Sequence, residues 1–147
     1  MIVVLRKYRR LLPGERRLLR EAVRALARAR LTLFFPFARL AARLGTAGAV
    51  SPEDALPAEQ AELVAAIARA IDRAAPYLPW QCRCLVRAAA GKWMCDRRGL
   101  ATTVYLGVGK QEADQAELAA HAWLRAGDTL LIGAEEAGSF QTITTFS

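Results

Sequence analysis

Apolar residues recur at helical spacing through the first two thirds of the chain and at strand spacing through the last third. From Pro13-Gly14-Glu15 to about Leu33, one helical face carries Leu18, Leu19, Ala22, Val23, Leu26 and Ala29. Arg16, Arg17, Arg20, Arg24 and Arg28 fill much of the remainder. Pro36 interrupts this pattern, and a shorter helix is expected to run to about Leu44, before Gly45. Ser51-Pro52-Glu53-Asp54 carries the marks of a helix start: a capping serine, a proline at the first helical position and an acid three residues after the cap. Leu63, Ile67, Ala70 and Ile71 continue that helix to about Ala74. Pro76 and Pro79 bound a connector whose Tyr77, Leu78 and Trp80 are expected to pack on the core.

Cys84 to Arg98 predicts a central helix closed by Gly99. Cys84, Ala88, Gly91 and Cys95 fall on one line of it, spaced four, three and four apart, and all are small. A sheet could lie close against that line. Beyond Gly99 the period changes. Thr102 to Val108 is rich in β-formers, Leu118–Arg125 and Thr129–Ile132 predict a hairpin turned at Gly127-Asp128, and Phe140–Phe146 alternates as a last strand. The layout is α+β, with N-terminal helices followed by an antiparallel sheet. One domain is expected over 1–147, comprising a basic helical arm (1–45), a helix (51–75) and a core (80–147).

Composition narrows the function classes. At 147 residues and 54% apolar, the chain can bury a core of its own. No apolar run approaches the ~20 residues that span a bilayer; Leu31–Ala38 is stopped by Arg30 and Arg39. Met1-Ile2-Val3-Val4-Leu5 places apolar residues before basic ones, the reverse of a secretory signal. Cys82, Cys84 and Cys95 are too few and too odd in number for a disulfide framework, so a reduced, cytoplasmic setting is expected.

Charge is unevenly spread. Residues 1–45 carry twelve Lys or Arg against Glu15 and Glu21, a net +10, and the rest is net −3, consistent with +7 overall. Either the arm meets an acidic partner or it is a solvated arginine face. Nucleic acid is disfavoured, because aromatic residues are not interleaved with the basic ones and no recognition motif occurs.

Candidate chemistry centres on Cys84 and His121, the only histidine. A thiol at a helix start and an imidazole on a later strand form the order used in cysteine nucleophile catalysis. First-turn backbone N–H groups favour a thiolate and can hold an oxyanion. Cys95, at the other helix end, reads as core, and Cys82 remains a rival on position alone. The cysteines lack paired metal-ligand spacing, and Gly107-Val108-Gly109-Lys110 lacks the glycine and the Ser or Thr of a phosphate loop. The chain is therefore expected to need neither metal, ATP nor another cofactor.

Cys84-Leu85-Val86-Arg87-Ala88, Arg97-Arg98-Gly99-Leu100-Ala101-Thr102, Leu106-Gly107-Val108 and Ala120-His121-Ala122-Trp123-Leu124 occur in that order. This resembles the leader peptidases of lasso-peptide biosynthesis, a transglutaminase-like cysteine protease family, most strongly over residues 80–132. Leu12-Pro13-Gly14-Glu15-Arg16-Arg17 and the basic helices are similar to its short, stand-alone members. The resemblance implies a transglutaminase/papain-like core in which the helix bearing the cysteine packs on the sheet bearing the histidine. It implies a peptidase that removes the leader from a lasso precursor peptide, with Cys84 as nucleophile and His121 as base. It also implies a separate leader-binding protein as partner, and an ATP-dependent cyclase that closes the ring afterwards.

One position departs from the family pattern. Many members carry Asp twelve residues after the histidine to orient the imidazole, and here that residue is Gly133. Glu135 is the candidate replacement, with Glu136 beside it, while Asp128 lies at the turn. Gln81 is a candidate oxyanion donor. Arg87 either pairs with an acid or meets substrate, and Trp80 and Trp123 line the cleft or fill the core. The same dyad would equally serve an acyl transferase or transglutaminase. A non-enzymatic adaptor docking through the basic arm and Leu31–Phe37 is the reading from another class.

Overall fold

The computed structural model describes residues 8–110, 118–138 and 140–147, apart from the side chains of Lys110, Leu118, Ala119 and Glu136. The expectation drawn from Met1–Leu5 lies outside the described residues. A helical layer packs on one face of a four-stranded antiparallel sheet, so the fold is α+β.

Helix α1 spans Pro13–Thr32, with proline in its first turn and the Glu15 carboxylate accepting from the Leu12 N–H at 2.9 Å. Its Ala22, Leu26 and Ala29, four and three apart, are buried, while Arg17, Arg20, Arg24 and Arg28 face outward. Helix α1 thus forms one wall of the core. It packs on α3 (Ala58–Ala74) and α4 (Cys84–Asp96). Arg98, just past α4, clamps Glu21 of α1 with two hydrogen bonds of 2.9 and 2.7 Å. Helix α2 (Phe37–Leu44) follows Pro36 and buries Leu40 and Leu44. Between α1 and α2, Leu33, Phe34 and Phe35 are exposed, with Arg30 over the Phe34 ring and Arg39 over that of Phe35.

The third helix does not start at Ser51. It begins at Ala58, after Pro57. Pro57 biases Leu56 towards extended backbone, so a helix begun at Pro52 cannot run through it. Ser51 is employed elsewhere: its N–H donates to Thr103 Oγ1 at 2.8 Å and its hydroxyl pairs with the same atom at 2.7 Å. Val64, Ile67, Ile71 and Ala74 then form the buried face of α3, which passes through a 3-10 turn at Ala75–Tyr77.

Helix α4 is the most enclosed element, with Val86, Ala88, Ala89, Ala90, Gly91, Met94 and Cys95 all buried. It ends at Asp96, two residues before the predicted limit. Arg98 N–H bonds to the Cys95 carbonyl, and Gly99 takes the left-handed φ of +67° that closes the turn.

The strands are β1 (Thr103–Lys110), β2 (Leu118–Ala126), β3 (Thr129–Ile132) and β4 (Gln141–Phe146), ordered β3-β2-β1-β4. β2 and β3 form the predicted hairpin at Gly127-Asp128, and a single turn of helix, α5 (Ala134–Ala137), precedes β4. Unbroken pairing from Thr103↔Arg125 to Lys110↔Leu118 assigns the faces of β1 and β2. Ala122, Leu124 and Ala126 share the face that receives α4: a Cβ on Gly91 would lie 2.8 Å from Leu124 Cδ2 and 2.7 Å from Ile132 Cδ1. His121, Trp123 and Arg125 point from the other face. Among the described residues, no helix is long and apolar enough to cross a membrane.

Candidate active site

Cys84 is the first residue of α4, half-buried against the core. Arg83 at the N-cap provides no side-chain cap. The first hydrogen bond of the helix runs from Arg87 N–H to the Arg83 carbonyl, so the N–H groups of Cys84, Leu85 and Val86 lie outside the helical ladder. Unpaired first-turn donors of this kind are suited to receive a developing oxyanion.

The other two thiols are placed differently. Cys95 is fully buried near the far end of α4, where burial pushes its thiol up to about 12. Burial also pushes up the thiol of Cys82, only partly offset by Trp80 and Arg87. Both therefore stay protonated and poorly nucleophilic near neutrality.

Gln81 is exposed, and its side-chain oxygen accepts from Arg83 Nε at 3.4 Å. Arg87 forms an ion pair with Asp72 of α3, which fastens the first turns of α4 to the neighbouring helix. Its role in this structure is to hold the helix that presents Cys84.

His121 stands in the middle of β2, opposite Gly107, and is only 8% exposed. Its ring has two aromatic neighbours, Trp123 at 5.9 Å between centroids and 23° between planes, and Phe140 at 4.9 Å and 32°. Trp123 is itself buried and stacks on Tyr105 at 5.6 Å and 2°. The Tyr105 hydroxyl accepts from Arg125 Nε at 2.9 Å. Trp123 is thus a packing residue that backs the imidazole.

The ring edge is held by the backbone. His121 Nε2 lies 3.1 Å from the carbonyl oxygen of Gly133, twelve residues away. Glu135 is exposed on α5, and among the described residues no hydrogen bond or ion pair joins it to the ring. Phe140 and the Gly133 carbonyl were not identified from the sequence. The glycine at the family's acidic position was the available signal, but it read there as a missing side chain.

The structure brings His121, Trp123, Phe140 and the Gly133 carbonyl together on one sheet face. Cys84 heads a helix that packs on the other face. β3 stops at Ile132, so beside His121 the outer edge of β2 is no longer covered by a regular strand. Neither curated proteins nor solved structures returned a significant match. The sequence pattern of the transglutaminase-like superfamily matches residues 31–145, from the end of α1 through β4, and the chain belongs to that superfamily.

Proposed function

We propose that this protein is a cysteine peptidase that removes the leader from a lasso precursor peptide. Cysteine protease and acyl-transfer chemistry are typical of the transglutaminase-like superfamily. The reading is supported by a half-buried thiol at the head of the buried helix α4 and by a sole histidine, nearly buried on β2, in a chain of this superfamily. The lasso assignment rests on the Cys84-Leu85-Val86-Arg87 and Ala120-His121-Ala122-Trp123 blocks.

α4 packs on the face of the sheet opposite the imidazole, so the reading requires the Cys84 thiol and the His121 ring to meet around an edge of the sheet. Cys84 gives its proton to His121 and attacks the scissile carbonyl carbon, and first-turn N–H groups of α4 stabilise the oxyanion. The C–N bond then breaks, the imidazolium protonates the leaving amine, and an acyl thioester remains on Cys84. Water adds to that thioester with His121 again taking a proton, and the thiol is released with the carboxylic acid product.

The protein acts in the cytoplasm with a separate leader-binding protein, before an ATP-dependent cyclase closes the ring. The exposed Leu33, Phe34 and Phe35, flanked by Arg30 and Arg39, offer a surface to that partner.

The test is cleavage of the cognate precursor, with its leader-binding protein, by wild type, Cys84→Ala, Cys82→Ala and His121→Ala. Cys84→Ala and His121→Ala are expected to be inactive and Cys82→Ala active. Cleavage by Cys84→Ala refutes the assigned nucleophile. Equal behaviour of all four proteins favours a non-enzymatic adaptor. A product that carries an added amine in place of the new carboxylate identifies an acyl transferase.

A further inference from the structure

We propose that the exposed turn between α1 and α2, together with the arginine stripe of α1, docks on a phospholipid bilayer carrying anionic headgroups. The inference goes beyond the peptidase reading and does not depend on it. It concerns the free protein, since the same turn is offered above to the leader-binding protein.

Leu31, Leu33, Phe34 and Phe35 are all exposed, Phe34 by 72% and Phe35 by 51%. A cluster of large apolar side chains left in water marks an interaction surface. The surface is not a groove: every residue from Leu33 to Arg39 is exposed, so nothing there forms a socket for an inserted side chain or helix. An apolar tip of this shape fits a soft medium that closes around it. Its backbone suits that medium as well. The N–H groups of Leu33, Phe34 and Phe35 donate to the carbonyls of Arg30, Leu31 and Thr32 at 3.2, 3.1 and 3.1 Å, so none of these three amides enters an apolar layer unpaired. Phe37 packs edge-on against Phe146 at 6.4 Å and 70°, which fixes the tip to the sheet.

Charge selects the kind of bilayer. Residues 22–52 carry Arg24, Arg28, Arg30, Arg39 and Arg43 and no Asp or Glu. Among the described residues, none of these arginines has an ion-pair partner. The acids of α1 are engaged elsewhere, Glu15 by the Leu12 N–H and Arg73, Glu21 by Arg98. Arg20, Arg24, Arg28 and Leu31, spaced four, four and three apart, follow the outer side of α1 towards the tip. Arg30 and Arg39 lie over the rings of Phe34 and Phe35, at 5.1 and 4.8 Å from the centroids. With those rings at the acyl boundary, both guanidiniums stand at the depth of the headgroup phosphates. A nucleic acid would meet the arginines but leave the apolar tip in water.

The test is flotation of the full chain with vesicles of phosphatidylcholine alone and of phosphatidylcholine mixed with phosphatidylglycerol. We expect binding to the mixed vesicles at least about tenfold tighter than to the neutral ones, weakening as salt is raised. Phe34→Ser/Phe35→Ser should weaken it about tenfold or more. Arg20→Gln/Arg24→Gln should weaken it about fivefold for each charge removed. Both variants change exposed side chains only, and unaltered circular dichroism confirms their folding. Phe34→Trp should add an emission that bromine on the acyl chains quenches. Absence of binding to the mixed vesicles, equal binding to both compositions, or unchanged binding by Phe34→Ser/Phe35→Ser overturns the inference. So does a wild type that ignores both kinds of vesicle yet captures the leader-binding protein through Phe34 and Phe35, which makes the tip a protein interface. Cys84→Ala should bind vesicles as wild type does. Vesicle binding by a wild type that cleaves no precursor upholds this inference and sinks the peptidase reading alone.

Discussion

Replacing Gly91 by alanine sets two effects of opposite sign against each other. In a helix interior, Ala is favoured over Gly by about 1 kcal/mol. The added Cβ, however, would lie 2.7 Å from Ile132 Cδ1, 2.8 Å from Leu124 Cδ2 and 3.4 Å from Ile71 Cδ1. Relaxed carbon contacts lie near 3.5–4.0 Å, so two neighbours are overlapped by about 1 Å. The overlapped atoms are side-chain tips, which can turn, but Leu124 and Ile132 are both buried in a packed layer. Overpacking of this kind costs about 1–3 kcal/mol.

The net expectation for Gly91→Ala is a loss of about 1 kcal/mol, or roughly 2–5 °C in Tm. Gly91→Val, with two further methyl groups at the same place, should lose about 3 kcal/mol. Activity is expected to suffer more than stability. Standing α4 off the sheet moves Cys84 with it, and a misplacement of about 1 Å can cost ~10²-fold in a reaction that depends on alignment. Urea unfolding gives the first quantity and single-turnover precursor cleavage the second. An alanine variant more stable by the full helix-propensity increment and equally active would show that α4 is not seated on β2 and β3 through Gly91.

Three further outcomes follow from side-chain contacts. Arg125 is buried and donates to the carbonyls of Ser51, Pro52 and Gly127 and to the Tyr105 hydroxyl, so Arg125→Ala should destabilise by about 3 kcal/mol or more in denaturant unfolding; a loss below about 1 kcal/mol would deny it that anchoring role. The Glu21 carboxyl is held below its usual range chiefly by its hydrogen bond from Arg98. Its contribution is complete above the unfolded value of about 4.3 and is lost as pH falls through the lower folded value, so the stability gap between wild type and Glu21→Gln should close in acid; a gap that is constant from neutrality to acid would contradict this. Cys95, pushed up to about 12 by burial, should resist iodoacetamide at pH 8 until the protein unfolds, and native-state labelling there would be inconsistent with its place in the core.

Much of the architecture was legible because period and punctuation agree. Gly99 closes α4 at a positive φ and Gly127-Asp128 turns the β2–β3 hairpin, each at the position that turn chemistry demands. Ser51-Pro52-Glu53-Asp54 misled because a capping pattern is local, while Ser51 is claimed by Thr103 from 52 residues away and Pro57 forbids the continuation. The arginines of α1 mark its outer face only, and Ala22, Leu26 and Ala29, read from the sequence as one apolar face, make the opposite side a tight seam. At the site, residue types exposed Cys84 and His121 but not their relation to the sheet. Alternation fixes that His121 and Leu124 face opposite ways, and only tertiary packing reveals which of those faces meets α4. The Gly133 carbonyl beside the imidazole was invisible for a different reason: every residue offers a carbonyl, so nothing in the letter at position 133 announces its use.

That last contact bears on what substitution experiments can see. A scan that truncates side chains one by one would pass over the Gly133 carbonyl beside His121, because the oxygen belongs to the main chain and survives every such change.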